Sequence, residues 1–134
     1  MSNNAITVAD CMVPARLTVT PQTTIRKAVE EMLRTQLISA PVVDEKGMVC
    51  GYISEQDCLR HMISGSYYNE ESGLVSDVMQ HEVLFAESSM DIIDLAHLMC
   101  GAKPKKYPVC EDGKLVGVIT RSHIMKALLE STED

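Results

Sequence analysis

The sequence predicts an α+β protein assembled from two copies of one β-α-β-β-α unit. Three observations lead there. The first is a repeat: "VADCM" at 8–12 returns as "VSDVM" at 75–79, an offset of 67 that holds as far as "PVV" (41–43) against "PVC" (108–110). The offset drops to 66 where "DEKG" is one residue longer than "EDG", and Gly51/Gly117 and Ile53/Ile119 then fall in register. Chance does not align Leu17/Leu84, Ile25/Ile92, Met32/Met99 and Pro41/Pro108 along one diagonal as well. The second observation is apolar spacing of helical period, twice in each copy. The third is a pair of short apolar runs joined by turn residues, once in each copy.

Each element follows in order. A one-turn helix opens each copy, with Thr7 and Ser76 as its predicted caps. An extended piece comes next, "RLTVT" and "EVLFA". An amphipathic helix then places Ile25, Ala28, Val29, Met32 and Leu33 on one face, and in the second copy Ile92, Leu95, Ala96, Met99 and Cys100. Ser88-x-x-Asp91 has the form of a capping box for the latter. A strand–turn–strand follows, turning around Glu45–Gly47 in one copy and at Asp112-Gly113, a strong hairpin dipeptide, in the other. A last helix starts at Ser54 and at Thr120. It is expected to bury Cys58, Leu59, Met62 and Ile63, and correspondingly Ile124, Met125, Leu128 and Leu129.

The domain reading is one pair over 1–134: repeat 1 at 5–63, a polar connector at 64–74, and repeat 2 at 75–130. A repeat of this size, about 55 residues, buries only a marginal core alone, so the two are expected to pack together.

Composition narrows the function. Net charge is −7, but residues 8–63 and residues 75–129 each come to only −1. The excess acid lies at Glu70, Glu71, Glu130, Glu133 and Asp134, where it serves solubility. No basic face is evident, so no nucleic-acid partner is expected. No apolar run reaches the roughly 18 residues of a membrane span, and the N-terminus does not read as a secretory signal. Five cysteines stand singly with no CxxC, which fits reduced thiols in a cytoplasmic protein. The nine methionines, Met32, Met99 and Met125 among them, read as gap fillers of the core.

The segments "SAPVVDEKGMVCGYISEQD" (39–57) and "KYPVCEDGKLVGVITRSH" (106–123), each preceded by a D-x-M and an amphipathic helix, resemble a tandem pair of CBS domains, the module named for cystathionine beta-synthase. The resemblance covers roughly residues 5–130. It implies two repeats packed sheet to sheet about a pseudo-twofold axis, with two clefts. It further implies a homodimer, and a clefted ligand that is an adenine nucleotide (AMP, ADP or ATP) or S-adenosylmethionine. Such modules regulate an attached or partner protein. The chain ends soon after the last helix, so the expectation is a stand-alone cytoplasmic regulator of a protein target the sequence does not identify. No membrane partner and no catalytic cofactor are implied.

The resemblance also places residues. In its G-h-h-[S/T]-x-x-D motif the hydroxyl and the carboxylate face a ribose, and Ser54 and Asp57 complete that motif here. A carboxylate accepts from both vicinal hydroxyls through charge-assisted bonds. Ser54-x-x-Asp57 is equally a helix cap, and the two roles are compatible. The resemblance adds Val83, Leu84, Lys106, Tyr107 and Pro108 to this main cleft, with Lys106 reaching for phosphate or lying in a solvated loop, and Tyr107 at the rim. "KPKKY" (103–107) is the one dense basic patch. The second cleft would take Leu17, Thr18, Ser39, Ala40 and Pro41 with Thr120, Arg121 and His123. There the motif departs from the pattern: His123 stands where the carboxylate should be. A neutral imidazole offers one donor and one acceptor, so the clefts are expected to be unequal.

Two competing readings remain. A ligand-independent dimerisation or scaffolding module with degenerate clefts is one. An enzyme is the other, and it is not expected, since no nucleophile–base pair, GxSxG, P-loop or HExxH occurs. Asp57 and His61 are spaced i, i+4, but no further ligand is fixed in sequence, so no metal is expected. His81 and His97 read as surface residues.

Overall fold

The computed structural model describes residues 5–64, 73–101 and 106–131. Its elements are α1 (Val8–Cys11), α2 (Ile25–Thr35), β1 (Ser39–Val43), β2 (Val49–Ser54), α3 (Glu55–Met62), α4 (Val75–Val78), β3 (Ala86–Glu87), α5 (Ile92–Met99), β4 (Lys106–Glu111), β5 (Lys114–Thr120) and α6 (Arg121–Ser131). The α+β class and the doubled order match the sequence reading. The opening strands are short. In the first copy only a parallel bridge, Val19 to Val42, marks that strand. In the second, β3 pairs in parallel with β4 at Val109 and Cys110. The hairpins turn where expected: Gly47 has φ 83°, and Asp112 and Gly113 have φ 52° and 84°. Two successive positive φ values fit a type I′ turn, whose twist matches that of the flanking strands.

The compact units do not coincide with the sequence repeats. One unit comprises residues 16–83, the other residues 1–15 with 84–134. Each unit therefore takes its one-turn helix from the other repeat. Val75 of α4 is fully buried in the core of the first unit, with Ile25, Ala28, Val42 and Ile53. Val8 of α1 is fully buried in the core of the second, with Ile92, Leu95, Val109 and Ile119. The stretch after each one-turn helix adds to a β-strand edge. Gln80 exchanges two backbone bonds with Tyr52 (2.8 and 2.9 Å), and Val13 does the same with Val118 (2.8 and 2.9 Å). The two repeated glycines admit this approach. A Cβ on Gly51 would lie 2.5 Å from the Met79 sulfur, and one on Gly117 would lie 2.8 Å from the Val13 carbonyl oxygen and 3.0 Å from the Met12 sulfur. The methionine of each D-x-M thus lies over the glycine of the other repeat.

Several expectations are corrected. Thr7 caps α1 with Asp10, whose carboxylate accepts from the Thr7 N–H (2.9 Å). Ser76 caps nothing; the equivalent bond in α4 runs from the Leu74 N–H to Asp77 (2.8 Å). The box at Ser88 does not form either. Asp91 caps α5 itself, accepting from the Ile93 N–H, while Ser88 donates to Glu111 (2.8 Å). The helical apolar stripes are also wider than the cores they meet. Leu33, Leu59, Ile63, Met125 and Leu129 are exposed, Leu33 and Ile63 at 74%, and Cys100 is exposed as well. Each helix meets its own hairpin along one narrow line, so apolar residues a turn's quarter away stay uncovered within the unit. The predicted connector at 64–74 and the basic patch at 103–107 lie mostly outside the described residues.

Candidate functional site

Ser54 ends β2 and caps α3, and the geometry of that junction defines the first candidate site. The Asp57 N–H donates to the Ser54 hydroxyl oxygen (3.2 Å). One carboxylate oxygen of Asp57, Oδ2, accepts from the Ser54 N–H (3.0 Å) and the Ser54 hydroxyl (2.9 Å). The cap leaves the other oxygen, Oδ1, facing the Arg60 guanidinium at 3.5 Å. Asp57 is only 7% exposed, whereas the Arg60 side chain is 72% exposed. A carboxylate with one oxygen fixed and an exposed cation over the second is oriented to accept further hydrogen bonds. Arg60 escaped the sequence reading; its i, i+3 spacing from Asp57 was the available signal. The neighbouring Cys58 thiol is pushed up to about 11 by burial and by the Asp57 charge, so it stays a protonated apolar filler.

The second junction repeats this architecture with a histidine. The Thr120 N–H donates to His123 Nδ1 (3.0 Å), and the Thr120 hydroxyl lies 3.1 Å from the same nitrogen. The His123 N–H reaches back to the Thr120 hydroxyl at 3.4 Å. A backbone N–H can only donate, so Nδ1 carries no proton and the ring is the Nε2–H tautomer. Burial, then the charges of Lys106 and Lys126, hold the imidazole below its ordinary range. Where Asp57 offers an acceptor, His123 offers a donor.

The remaining predicted residues sort by burial and register. Ser39, Ala40 and Pro41 lie opposite Ser54, Ile53 and Tyr52 across the β1–β2 hairpin. Lys106, Tyr107 and Pro108 lie opposite Thr120, Ile119 and Val118 across β4–β5. Each unit thus gathers residues that the resemblance divides between its two clefts, and each predicted cleft draws on both units. Ala40, Pro41 and Pro108 are buried, as is Leu17. Tyr107 is not at a rim: it is 2% exposed and packs in a core, because strand alternation turns its ring inward, and burial raises its phenol. Ser39 is also buried, its hydroxyl sharing a 2.9 Å bond with the Tyr52 hydroxyl. Arg121 donates through Nε to the Met99 carbonyl (3.0 Å), so it clamps the end of α5. Thr18 and Leu84 are exposed and Val83 is half-buried. His81 and His97 are exposed, as read from sequence. Among the described residues no cluster of three His, Cys, Asp or Glu side chains could hold a metal ion.

A concavity borders the first junction, for Glu55, Gln56 and Cys58, on either side of Asp57, help to line it. A groove of about 650 Å³ runs between α2 and α3, lined by Val29, Met32, Leu33, Leu37, Leu59 and Met62 among others. Leu33 and Leu59, which the unit leaves exposed, line it beside the buried Met32.

Each of the two α+β units takes its one-turn helix from the other repeat and carries a hydroxyl cap at a strand–helix junction, which defines a class of paired-repeat proteins. The CBS domain family model matches residues 8–64 and 75–130, and the chain belongs to that family. It is 30% identical over 138 residues to the CBS domain-containing protein CBSX1, chloroplastic, of Arabidopsis thaliana, across 84% of this chain and 58% of that one. It is 30% identical over 136 residues to a methylated protein of Methanocaldococcus jannaschii, across 94% of this chain and 75% of that one. The chain thus spans between somewhat over half and three quarters of these relatives. Among solved structures, CBSX2 in complex with AMP superposes with a TM-score of 0.80 at 28% identity, covering 95% of this chain and 98% of that one. Among the described residues no helix is long and apolar enough to cross a membrane.

Proposed function

We propose that this chain is a regulatory module that binds an adenine nucleotide, or S-adenosylmethionine, through Ser54 and Asp57, and passes its occupancy to a partner protein. The observation that carries the reading is the half-used carboxylate of the buried Asp57: Oδ2 is spent in the cap, and among the described residues Oδ1 meets the exposed Arg60 guanidinium at 3.5 Å. The likeness to CBSX2, whose structure includes AMP, supports the ligand class. The module acts by binding: a ligand that favours one conformation shifts the population presented to the partner. Lys106, on β4, supplies positive charge for phosphate in this reading. The five free cysteines favour a reducing compartment such as the cytoplasm.

The test is thermal unfolding with AMP, ADP, ATP and S-adenosylmethionine, on wild type and on Asp57→Ala. Each shift is taken against that variant's own ligand-free midpoint. A ligand at 100 times its dissociation constant adds roughly 2.7 kcal/mol, several degrees for a domain of this size. A shift with one ligand, absent in Asp57→Ala, is the expected result. A shift of the same size in Asp57→Ala refutes the role of that carboxylate.

A specific observation also favours self-association, as a homodimer or as the ligand-independent scaffold. The α2–α3 groove and the exposed Leu33, Leu59 and Ile63 form one apolar surface. In this reading a second copy covers it. Sedimentation should give twice 14.8 kDa for wild type, and Leu59→Glu should return the monomer. A wild-type monomer at high concentration removes this reading and leaves the ligand site standing.

A further inference from the structure

We propose that the Thr120–His123 box is a proton-operated cap: the start of α6 is closed while the imidazole is neutral and opens when it is protonated, whereas the matching Ser54–Asp57 box holds a carboxylate acceptor in that place. The proposal concerns one unit's fold and holds whether or not a nucleotide binds.

The geometry supplies the mechanism. At three of the four N-cap-x-x-acceptor positions a carboxylate receives the capping N–H: Asp10 from Thr7, Asp57 from Ser54 and Asp77 from Leu74. At the fourth, the Thr120 N–H points at His123 Nδ1 from 3.0 Å. A proton on Nδ1 would set two N–H groups against each other at that distance. The imidazolium must then rotate away, leaving the Thr120 N–H without its acceptor. A carboxylate oxygen carries no ring N–H to set against the capping donor, so the clash has no counterpart at Ser54–Asp57.

The surrounding charges push the same way. Lys106 on β4 and Lys126 on α6 both act on the ring. The α6 N-terminus adds the positive end of a helix of 11 residues. Arg121, also in the first turn, is held at the Met99 carbonyl. On α1, which packs beside α6, Asp10 is engaged in its own cap at Thr7. On α5, Asp94 and His97 are exposed. Among the described residues the charges that act on the ring are these two lysines, and no acid, Glu111 of β4 and Glu130 of α6 included, is among them. Burial and the two lysines lower the folded-state value relative to the unfolded chain. The stabilisation is therefore complete above the unfolded-state value of about 6.5 and is lost as pH falls toward and through the lower folded value.

The experiment measures thermal midpoints from pH 7.5 to 5.0 for wild type, His123→Asp and His123→Asn. The difference between wild type and each variant cancels the other histidines. Wild type should lose roughly 3 °C relative to His123→Asp over that range, the size of one helix cap in a domain of this length. His123→Asn, with an acceptor oxygen at every pH, should track His123→Asp. Ring nitrogen chemical shifts should show an unprotonated Nδ1 at pH 7.5. A flat difference between wild type and both variants overturns the proposal, as does a proton on Nδ1 at pH 7.5. Neither result bears on whether Asp57 binds a ligand, which the ligand-induced shifts read separately.

Discussion

Replacing Gly117 with alanine tests the exchange of one-turn helices between repeats. The new Cβ would stand 2.8 Å from the Val13 carbonyl oxygen and 3.0 Å from the Met12 sulfur. An ordinary carbon–oxygen contact is about 3.4 Å, so the Val13 strand must retreat by about half an ångström. That strand is held by two backbone bonds to Val118, at 2.8 and 2.9 Å. Overpacking of this kind costs about 1–3 kcal/mol, and a weakened backbone bond adds up to about 1 kcal/mol. Reduced freedom of the unfolded chain returns roughly 0.5 kcal/mol. The net expectation is a loss of about 2 kcal/mol, read by urea unfolding with an unchanged m-value. Gly101→Ala is the control: its nearest neighbour would be the Leu98 carbonyl at 3.8 Å, an ordinary contact. If Gly117→Ala stays within half a kcal/mol of wild type, by order of magnitude, the Val13 segment does not lie on that glycine, and the exchanged packing is wrong.

Further outcomes are expected elsewhere. Val8→Ala and Val75→Ala should each cost roughly 2 kcal/mol in chemical unfolding, since both side chains are fully buried although they sit in one-turn helices that isolated peptides would not form. Ser54→Ala should cost about 1 kcal/mol through the lost cap alone, measured without ligand. A thiol reagent at pH 8 should modify the exposed Cys100 first. It should reach Cys58 and Cys110, buried and both pushed up to about 11, only on unfolding. Modification of Cys58 at the rate of Cys100 in the native protein would contradict the burial described for α3.

Much was legible in the sequence because it depends on near neighbours. The 67-residue offset exposed the duplication. Glycine at 47 and Asp112-Gly113 marked the turns, since positive φ selects those residues wherever the chain runs. Ser54-x-x-Asp57 announced its own cap, because all its bonds lie within four residues. The Ser88 box failed because a partner from far along the chain competed: its hydroxyl donates to Glu111, 23 residues distant. Arg121, read as a cleft residue, is likewise held by the Met99 carbonyl, 22 residues away. The apolar stripes of α3 and α6 showed which residues avoid water in principle. They did not show which become covered within the unit, and Leu59, Met125 and Leu129 stay exposed.

The sequence by itself determined the doubled α+β plan, the hairpins and the two hydroxyl caps, all fixed by local backbone chemistry and periodicity. Only the tertiary structure decided that each one-turn helix belongs to the other repeat's core. A segment of four residues has no local preference strong enough to choose its home. Buried valine and a glycine that admits a backbone choose it instead, and those contacts join residues far apart in the chain, Gly51 with Met79 in one unit and Val13 with Gly117 in the other.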